Sequence, residues 1–374
     1  MRTSAILEEK KHPGTLRPFI VLALLIALAA GCDKSSTGVG EPGNPFAGPW
    51  EVVAPEAVGL DRSLLEEAET AAANQRSVIS LLVVKNGRLA WENYFQGNTA
   101  NNLNDVRSVT KSVVSLLTGI ALEEGFIQSV DDSIASYISP QVVDLPPDQQ
   151  GITIRHLLTM SGGWSWNETG GPDYGNWMSS GDYIQYLVDR PLSDPPGSDF
   201  TYNSAAVHLL GVVLAEATGM SLPLFADRYL FDKLGIETAA WEVLPGEYVN
   251  GGAGIDLRPR DLARLGLLML RSGLAGSEQV VPASWVSTAM QPQYDWRSSY
   301  GPLQNYSYGY LWWLEEQDDG MVALAWGFGG QFICVKPAAD LVVVVTSNWG
   351  GASPDELELA ALDIIFNKVI PAVR

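Results

Sequence analysis

Ser108-Val109-Thr110-Lys111 sets a hydroxyl and an amine three residues apart at the start of an apolar helical run. Side chains at that spacing share one helix face, so the Lys111 amine reaches the Ser108 oxygen. The N–H groups of a first helical turn lack partners within the helix and are expected to point at whatever the serine attacks. A serine becomes a useful nucleophile when a neighbouring base takes its proton. A lysine does so only as a free amine, which requires desolvation or nearby positive charge to bring its pKa down from about 10.4. Tyr202 is the second candidate. Phe200-Thr201-Tyr202-Asn203-Ser204 stands directly before the apolar run 205–218, where Asn203 or Ser204 would cap a helix. The phenol is thereby set on a rigid corner. A tyrosine beside a lysine is expected to ionise below its usual pKa of about 10 and relay a proton.

The remaining chemistry is thin. The only histidines are His12, in the leader, His156 and His208, and neither of the last two has a second His, a Cys or a carboxylate at metal-ligand spacing. No Gly-x-Ser-x-Gly elbow occurs, so a Ser-His-Asp arrangement is disfavoured. His156 and His208 lie in apolar runs and read as structural. Gly38-Val39-Gly40-Glu41-Pro42-Gly43 matches a dinucleotide fingerprint formally, but no strand precedes it and Pro42 spoils the helix start. No metal and no cofactor is expected. A formal charge of −20 repels phosphate backbones and argues against nucleic acid as a partner.

Helical periodicity predicts helices over 60–75, 108–124, 153–160, 181–189, 204–218, 222–233, 259–272 and 355–368. Alternating or continuous apolar runs predict strands over 78–84 and 89–95, joined by a hairpin at Asn86-Gly87, and over 307–314, 321–326, 331–335 and 341–346. Strands at both ends with helices between them imply an α+β fold. One antiparallel sheet would be built from both chain ends, with a helical lobe inserted and a cleft between the two.

Residues 19–30 form an apolar run after a basic leader, too short to span a bilayer, and end in Ala29-Ala30-Gly31-Cys32. This resembles a bacterial lipoprotein signal over 1–31, with Cys32 lipidated and Asp33 favouring retention on the inner membrane. The expected location is the periplasmic side of the envelope, with the membrane as partner through that lipid. Residues 32–49, rich in Gly, Pro and Ser, read as a flexible tether to a domain over 50–374. Cys334 is expected to be a small buried residue.

Three motifs then occur in order: Ser108-x-x-Lys111, Tyr202-Asn203-Ser204 and Trp326-Gly327-Phe328-Gly329-Gly330-Gln331. With the blocks Ile152-Thr153-Ile154-Arg155-His156-Leu157-Leu158-Thr159-Met160-Ser161-Gly162-Gly163 and Arg260-Asp261-Leu262-Ala263-Arg264-Leu265-Gly266, they resemble the serine β-lactamase and penicillin-binding-protein superfamily. The likeness covers residues 60–370 and is nearest to class C-related esterases and 6-aminohexanoate-dimer hydrolases. It implies a β-lactamase-like fold and a serine hydrolase. Ser108 would attack the carbonyl of a small ester or amide while Lys111 and Tyr202 move its proton. The oxyanion would accept from the Ser108 N–H and from one N–H of the third motif, Gly330 or Gln331, beside Gly329. Two departures bear on substrate. Ser204 stands where Asn is usual, and Gly327 or Phe328 stands where relatives carry a Lys that holds a substrate carboxylate. β-Lactams and peptidoglycan stem peptides are therefore disfavoured. Ser204, Trp164, Trp166 and Phe328 are the expected pocket residues, with Tyr174, Trp177, Tyr300, Tyr306, Tyr308 and Tyr310 as further aromatic candidates. A penicillin-recognising D-peptidase or β-lactamase, and a non-catalytic envelope-binding protein of the same fold, are the alternatives.

Overall fold

Residues 341–347 read Leu-Val-Val-Val-Val-Thr-Ser and are buried throughout, so this strand has no solvent face and needs cover on both sides. It lies inside an antiparallel sheet of eight strands: β1 (Val78–Lys85), β2 (Arg88–Tyr94), β3 (Ser298–Tyr300), β4 (Leu303–Tyr308), β5 (Trp313–Gln317), β6 (Gly320–Gly327), β7 (Gln331–Lys336) and β8 (Leu341–Ser347). Their spatial order is β2-β1-β8-β7-β6-β5-β4-β3. β1 pairs with β8 in the register Leu81↔Val345 and Val83↔Val343, so strands from the two ends of the chain meet inside the sheet, one strand in from its edge. The computed structural model describes residues 44–374 except 238, 247, 351 and 352. The leader over 1–31, Cys32 and the tether as far as residue 43 lie outside the described residues.

One face of the sheet is covered by α1 (Arg62–Asn74) and the C-terminal helix beginning at Pro354–Asp363. These enclose a core with Leu65, Leu81, Phe332, Val343 and Ile365. The opposite face carries α2 (Val109–Glu123) and a helix at Pro259–Leu270, and merges into the helical lobe through a second core. Close approach there depends on Gly266, where a Cβ would stand 2.5 Å from Val342 Cγ1. In the lobe, α2 packs against α3 (Ser204–Thr218), which is buried from Ser204 to Ala215. Among the described residues no single helix is long and apolar enough to cross a membrane.

The expected α+β arrangement is present, with a helical lobe set between the first two strands and the last six. Asn86 and Gly87 turn the first hairpin, both with positive φ (54° and 75°), as a two-residue primed turn requires. Three details differ. The strand expected over 307–314 is two strands, β4 and β5, because the chain reverses at Gly309–Trp312 with Leu311 at φ 60°. The short strand β3 and the helices at Asp173–Met178 and Ala283–Ala289 have weak periodicity and were not expected. Residues 44–49, expected to end a flexible tether, are packed on the domain. Phe46 and Trp50 are buried, and Arg264 donates to the Pro45 and Gly48 carbonyls at 3.0 and 3.4 Å.

Candidate active site

The turn that presents Ser108 is held on three sides. Arg107 adopts a left-handed conformation (φ 50°), unusual for a residue with a Cβ, and the backbone restrains it. Its N–H donates to Asp105 Oδ1 at 2.9 Å, its carbonyl accepts from Thr110 Oγ1 at 2.6 Å, and Thr110 Oγ1 in turn accepts from Ile255 N at 3.2 Å. The N–H groups of Val109, Thr110 and Lys111 are bonded to the carbonyls of Val106, Arg107 and Ser108. The expectation that first-turn donors stay free therefore fails for these three. Among the described residues only the Ser108 N–H at this corner has no acceptor.

Lys111 is carried inward because α2 is buried on every face from Val109 to Ala121. Its side chain is 1% exposed. The Nζ atom stands 2.8 Å from Ser108 Oγ, 2.8 Å from Ser204 Oγ and 2.6 Å from the Gly252 carbonyl. Burial lowers the amine to about 8; the Glu168 carboxylate opposes this shift and Arg107 adds to it. The hydrogen bonding agrees with a neutral amine. The Gly252 carbonyl can only accept, and the Ser204 hydroxyl donates to Glu168, so it accepts from Lys111. In the uncharged form both amine protons are then used, and the remaining lone pair faces Ser108.

Tyr202 stands across the serine. Its neighbour Asn203 caps α3 by accepting from Ala206 N at 2.9 Å, which leaves the Ser204 hydroxyl for Lys111. The Tyr202 ring stacks on Trp313 with centroids 5.8 Å apart, and Tyr202 lines the same cavity as Ser108, whose hydroxyl lowers the phenol's pKa. Burial, and next the Glu168 carboxylate, push the phenol above its ordinary range. This corrects the expectation of easy ionisation: burial and the nearby Glu168 carboxylate disfavour a phenolate. Tyr202 is a neutral hydroxyl.

Ser108 and Tyr202 open onto a cavity of about 580 Å³. Its walls include Trp166, Phe200, Trp313, Trp326, Phe328 and the carboxylates Glu168, Asp355 and Glu358. Trp166 and Phe328 are thus where the sequence suggested. Trp164 is not: it is 2% exposed and donates from Nε1 to Gln149 Oε1 at 3.1 Å within the core. Ser204 lies beneath the cavity as a partner of Lys111 and not as a lining residue. Tyr300 and Tyr306 line the cavity, whereas Trp177, Tyr308 and Tyr310 are buried core and Tyr174 lies against Arg107.

The third motif needs a correction of register. Gly327 abuts Val106, two residues before the serine; a Cβ there would be 2.3 Å from the Val106 carbonyl. Gly329 N–H is spent on Glu358 Oε1 at 3.0 Å. Gly330 faces Ser347 and Leu357, and Gln331 pairs with Gly327 while its amide group bonds Ser347 at both ends. The residue of this turn that lines the cavity beside Ser108 is Phe328, whose N–H has no acceptor among the described residues. A three-residue loop alternates its direction, so a shift of one position moves the donor to the other side.

Three participants escaped sequence reading. Glu168 accepts from Ser204 N (2.7 Å), Ser204 Oγ and Trp166 Nε1 (3.0 Å), tying the aromatic loop to the lysine network. It sits in the loop singled out only for its rings. The Gly252 carbonyl belongs to Asn250-Gly251-Gly252-Ala253-Gly254, a glycine run that signals close backbone approach; a Cβ on Gly252 would be 2.5 Å from the Ser204 carbonyl. Glu358 had no local signal. His156 caps its own helix and buried His208 bonds the Val249 carbonyl, both away from the serine.

Comparison with known proteins identifies the family. The sequence profile of the β-lactamase family matches residues 65–367. The 6-aminohexanoate-dimer hydrolase of Paenarthrobacter ureafaciens is 25% identical over 296 residues, 72% of this chain and 72% of that protein. Among solved structures, EstCE1, described as a hydrolase with promiscuous acyltransferase activity, superposes with a TM-score of 0.64 at 18% identity over 82% of this chain and 99% of its own. A penicillin-binding protein from Bacillus halodurans gives 0.63 at 18% identity, over 80% and 100%. The chain belongs to the β-lactamase family, with the α+β fold of that family and relatives that include hydrolases.

Proposed function

We propose that this protein is a serine hydrolase that cleaves esters or amides through an acyl-enzyme on Ser108. The observation that carries this reading is a buried amine, brought down to about 8, within 2.8 Å of a hydroxyl at the edge of a cavity. Neutral Lys111 takes the Ser108 proton as Oγ bonds to the substrate carbonyl carbon. The oxyanion accepts from the N–H groups of Ser108 and Phe328, two residues that line the cavity and whose N–H groups have no acceptor among the described residues. Tyr202 gives its proton to the leaving alkoxide or amine as the carbonyl–heteroatom bond breaks, and regains one from the Lys111 ammonium. Water attacks the acyl-enzyme by the same route in reverse and frees the acid. A fluorophosphonate probe should label the wild-type protein at Ser108 and leave Ser108→Ala unlabelled; equal labelling of both refutes the assignment.

Short-chain esters and amides fit better than β-lactams, because among the described residues no cation lines the cavity to hold a carboxylate. Slow nitrocefin turnover beside rapid ester hydrolysis is expected; the opposite order favours the β-lactamase reading. Absence of any acyl adduct favours the binding-protein reading.

We further propose export to the periplasmic side of the envelope with a lipid anchor on Cys32, from the Ala29-Ala30-Gly31-Cys32 sequence after an apolar run. Metabolic labelling with a radioactive fatty acid should mark the protein and not Cys32→Ala; labelling of neither refutes the anchor.

A further inference from the structure

Given acyl transfer at Ser108, the rest of the cavity wall decides which substrates reach it. Its lining includes three carboxylates, Glu168, Asp355 and Glu358, and no Lys, Arg or His among the described residues. The two nearest cations offer a ligand nothing. Lys111 lies under the floor with each contact committed, and Arg107 is paired with Asp105 at 3.3 Å and laid over the Trp349 ring at 4.9 Å.

The carboxylates are not equivalent. Glu168 is engaged by Ser204 and Trp166. Glu358 meets neutral donors only: the Gly329 N–H at 3.0 Å and the side chains of Trp326 and Tyr300. Burial, which those hydrogen bonds oppose and Asp355 reinforces, pushes it up to about 7. It is a desolvated acid with no counter-charge among the described residues, and Asp355 stands one turn away on the same helix face. Around them the rings form a continuous wall. Tyr300 and Trp326 have centroids 5.3 Å apart at 40°, Trp326 and Trp313 5.5 Å apart at 53°, and Trp313 stacks on catalytic-corner Tyr202. Three ring-to-ring steps thus run from Tyr202 beside the serine to Tyr300 at the acidic end.

Aromatic faces present negative charge to whatever lies over them, and a carboxylate beside them adds to it. A carboxylate-bearing substrate would meet like charge there, and a neutral one would leave Glu358 uncompensated. We infer, resting on the hydrolase reading above, that the enzyme prefers esters or amides bearing an ammonium group several bonds from the scissile carbonyl, seated between the Trp326 and Tyr300 rings and the Glu358 and Asp355 carboxylates. The site itself is the cavity of the nucleophile; the wall selects its occupant.

The test compares isosteres on the full protein. With the charge on the acyl side, p-nitrophenyl 5-(trimethylammonio)pentanoate is set against 6,6-dimethylheptanoate and the adipate monoester. With the charge on the alcohol side, choline butyrate is set against 3,3-dimethylbutyl butyrate. In at least one orientation kcat/KM should favour the ammonium ester by about tenfold or more over its neutral isostere, with the anionic ester slowest. In Glu358→Gln with Asp355→Asn that ratio should fall to near unity, whatever the absolute rates. If the double variant does not fold, the wild-type ratios and Glu358→Gln alone decide. Hydrolysis with no ammonium preference in either orientation overturns the inference and leaves the hydrolase reading intact. No hydrolysis and no adduct at Ser108 overturns both.

Discussion

Lys111 Nζ lies over the face of the Tyr202 ring, 4.9 Å from its centroid, so the amine and the phenol reach Ser108 from different directions. Ring and hydroxyl therefore have separable jobs. Tyr202→Phe keeps the packing against Lys111 and Trp313 and removes only the proton donor. Fluorophosphonate labelling of Ser108 should persist in this variant while steady-state ester turnover falls by about 10²–10⁴-fold. Loss of both together would mean that the hydroxyl is needed for the attack itself.

Only the uncharged amine accepts a proton, so activity belongs to the deprotonated form of Lys111. With that group at about 8, kcat/KM should rise through pH 8 and level off above it. Arg107 contributes to the lowering, and Arg107→Gln should move the rising limb to higher pH. A limb that stays in place while the rate drops would reduce Arg107 to a packing residue. Lys111→Arg, which stays protonated, should be inactive at every pH.

Glu358 makes stability depend on pH in the less common sense. Its folded value of about 7 lies above the unfolded one of about 4.3, so the native state binds more protons between those limits. Stability thus falls as pH rises through that window, and the full loss is felt above pH 7. Glu358→Gln, whose amide oxygen still accepts from Gly329, should gain about 1–2 kcal/mol over wild type at pH 8 and nothing at pH 4. Chemical denaturation at the two pH values measures the difference; equal effects at both would place the carboxyl in water.

Gly252→Ala would put a methyl group 2.5 Å from the Ser204 carbonyl, backbone against backbone. Relief requires moving the carbonyl that accepts from Lys111. A loss of about 1–3 kcal/mol in stability is expected, together with an altered pH profile of the remaining activity. An unchanged profile would show that the acceptor had not moved.

Trp164 and Trp166, two residues apart, should separate cleanly. Trp164→Ala removes a buried core ring and should cost about 3–5 kcal/mol. Trp166→Phe alters the cavity wall and should change KM with a smaller stability loss. Denaturation and steady-state kinetics on both variants decide the point.

What could be read from the sequence alone was local. The Ser108–Lys111 spacing, the capped start of α3, the Asn86-Gly87 hairpin and the valine run of β8 each follow from neighbours within a few residues. The three ordered motifs also identified the fold class, because their order along the chain survives low overall identity. The state of the site was decided by partners far apart in sequence. Lys111 meets Ser204 across 93 residues and Gly252 across 141, and its pKa depends on every element that excludes water from it. No periodicity encodes that Gly329 turns its N–H to Glu358 and leaves Phe328 beside the serine, or that Trp164 packs in the core while Trp166 lines the cavity. Such outcomes rest on how sheet and lobe close over one another, and burial and hydrogen-bond partnership exist only once they have.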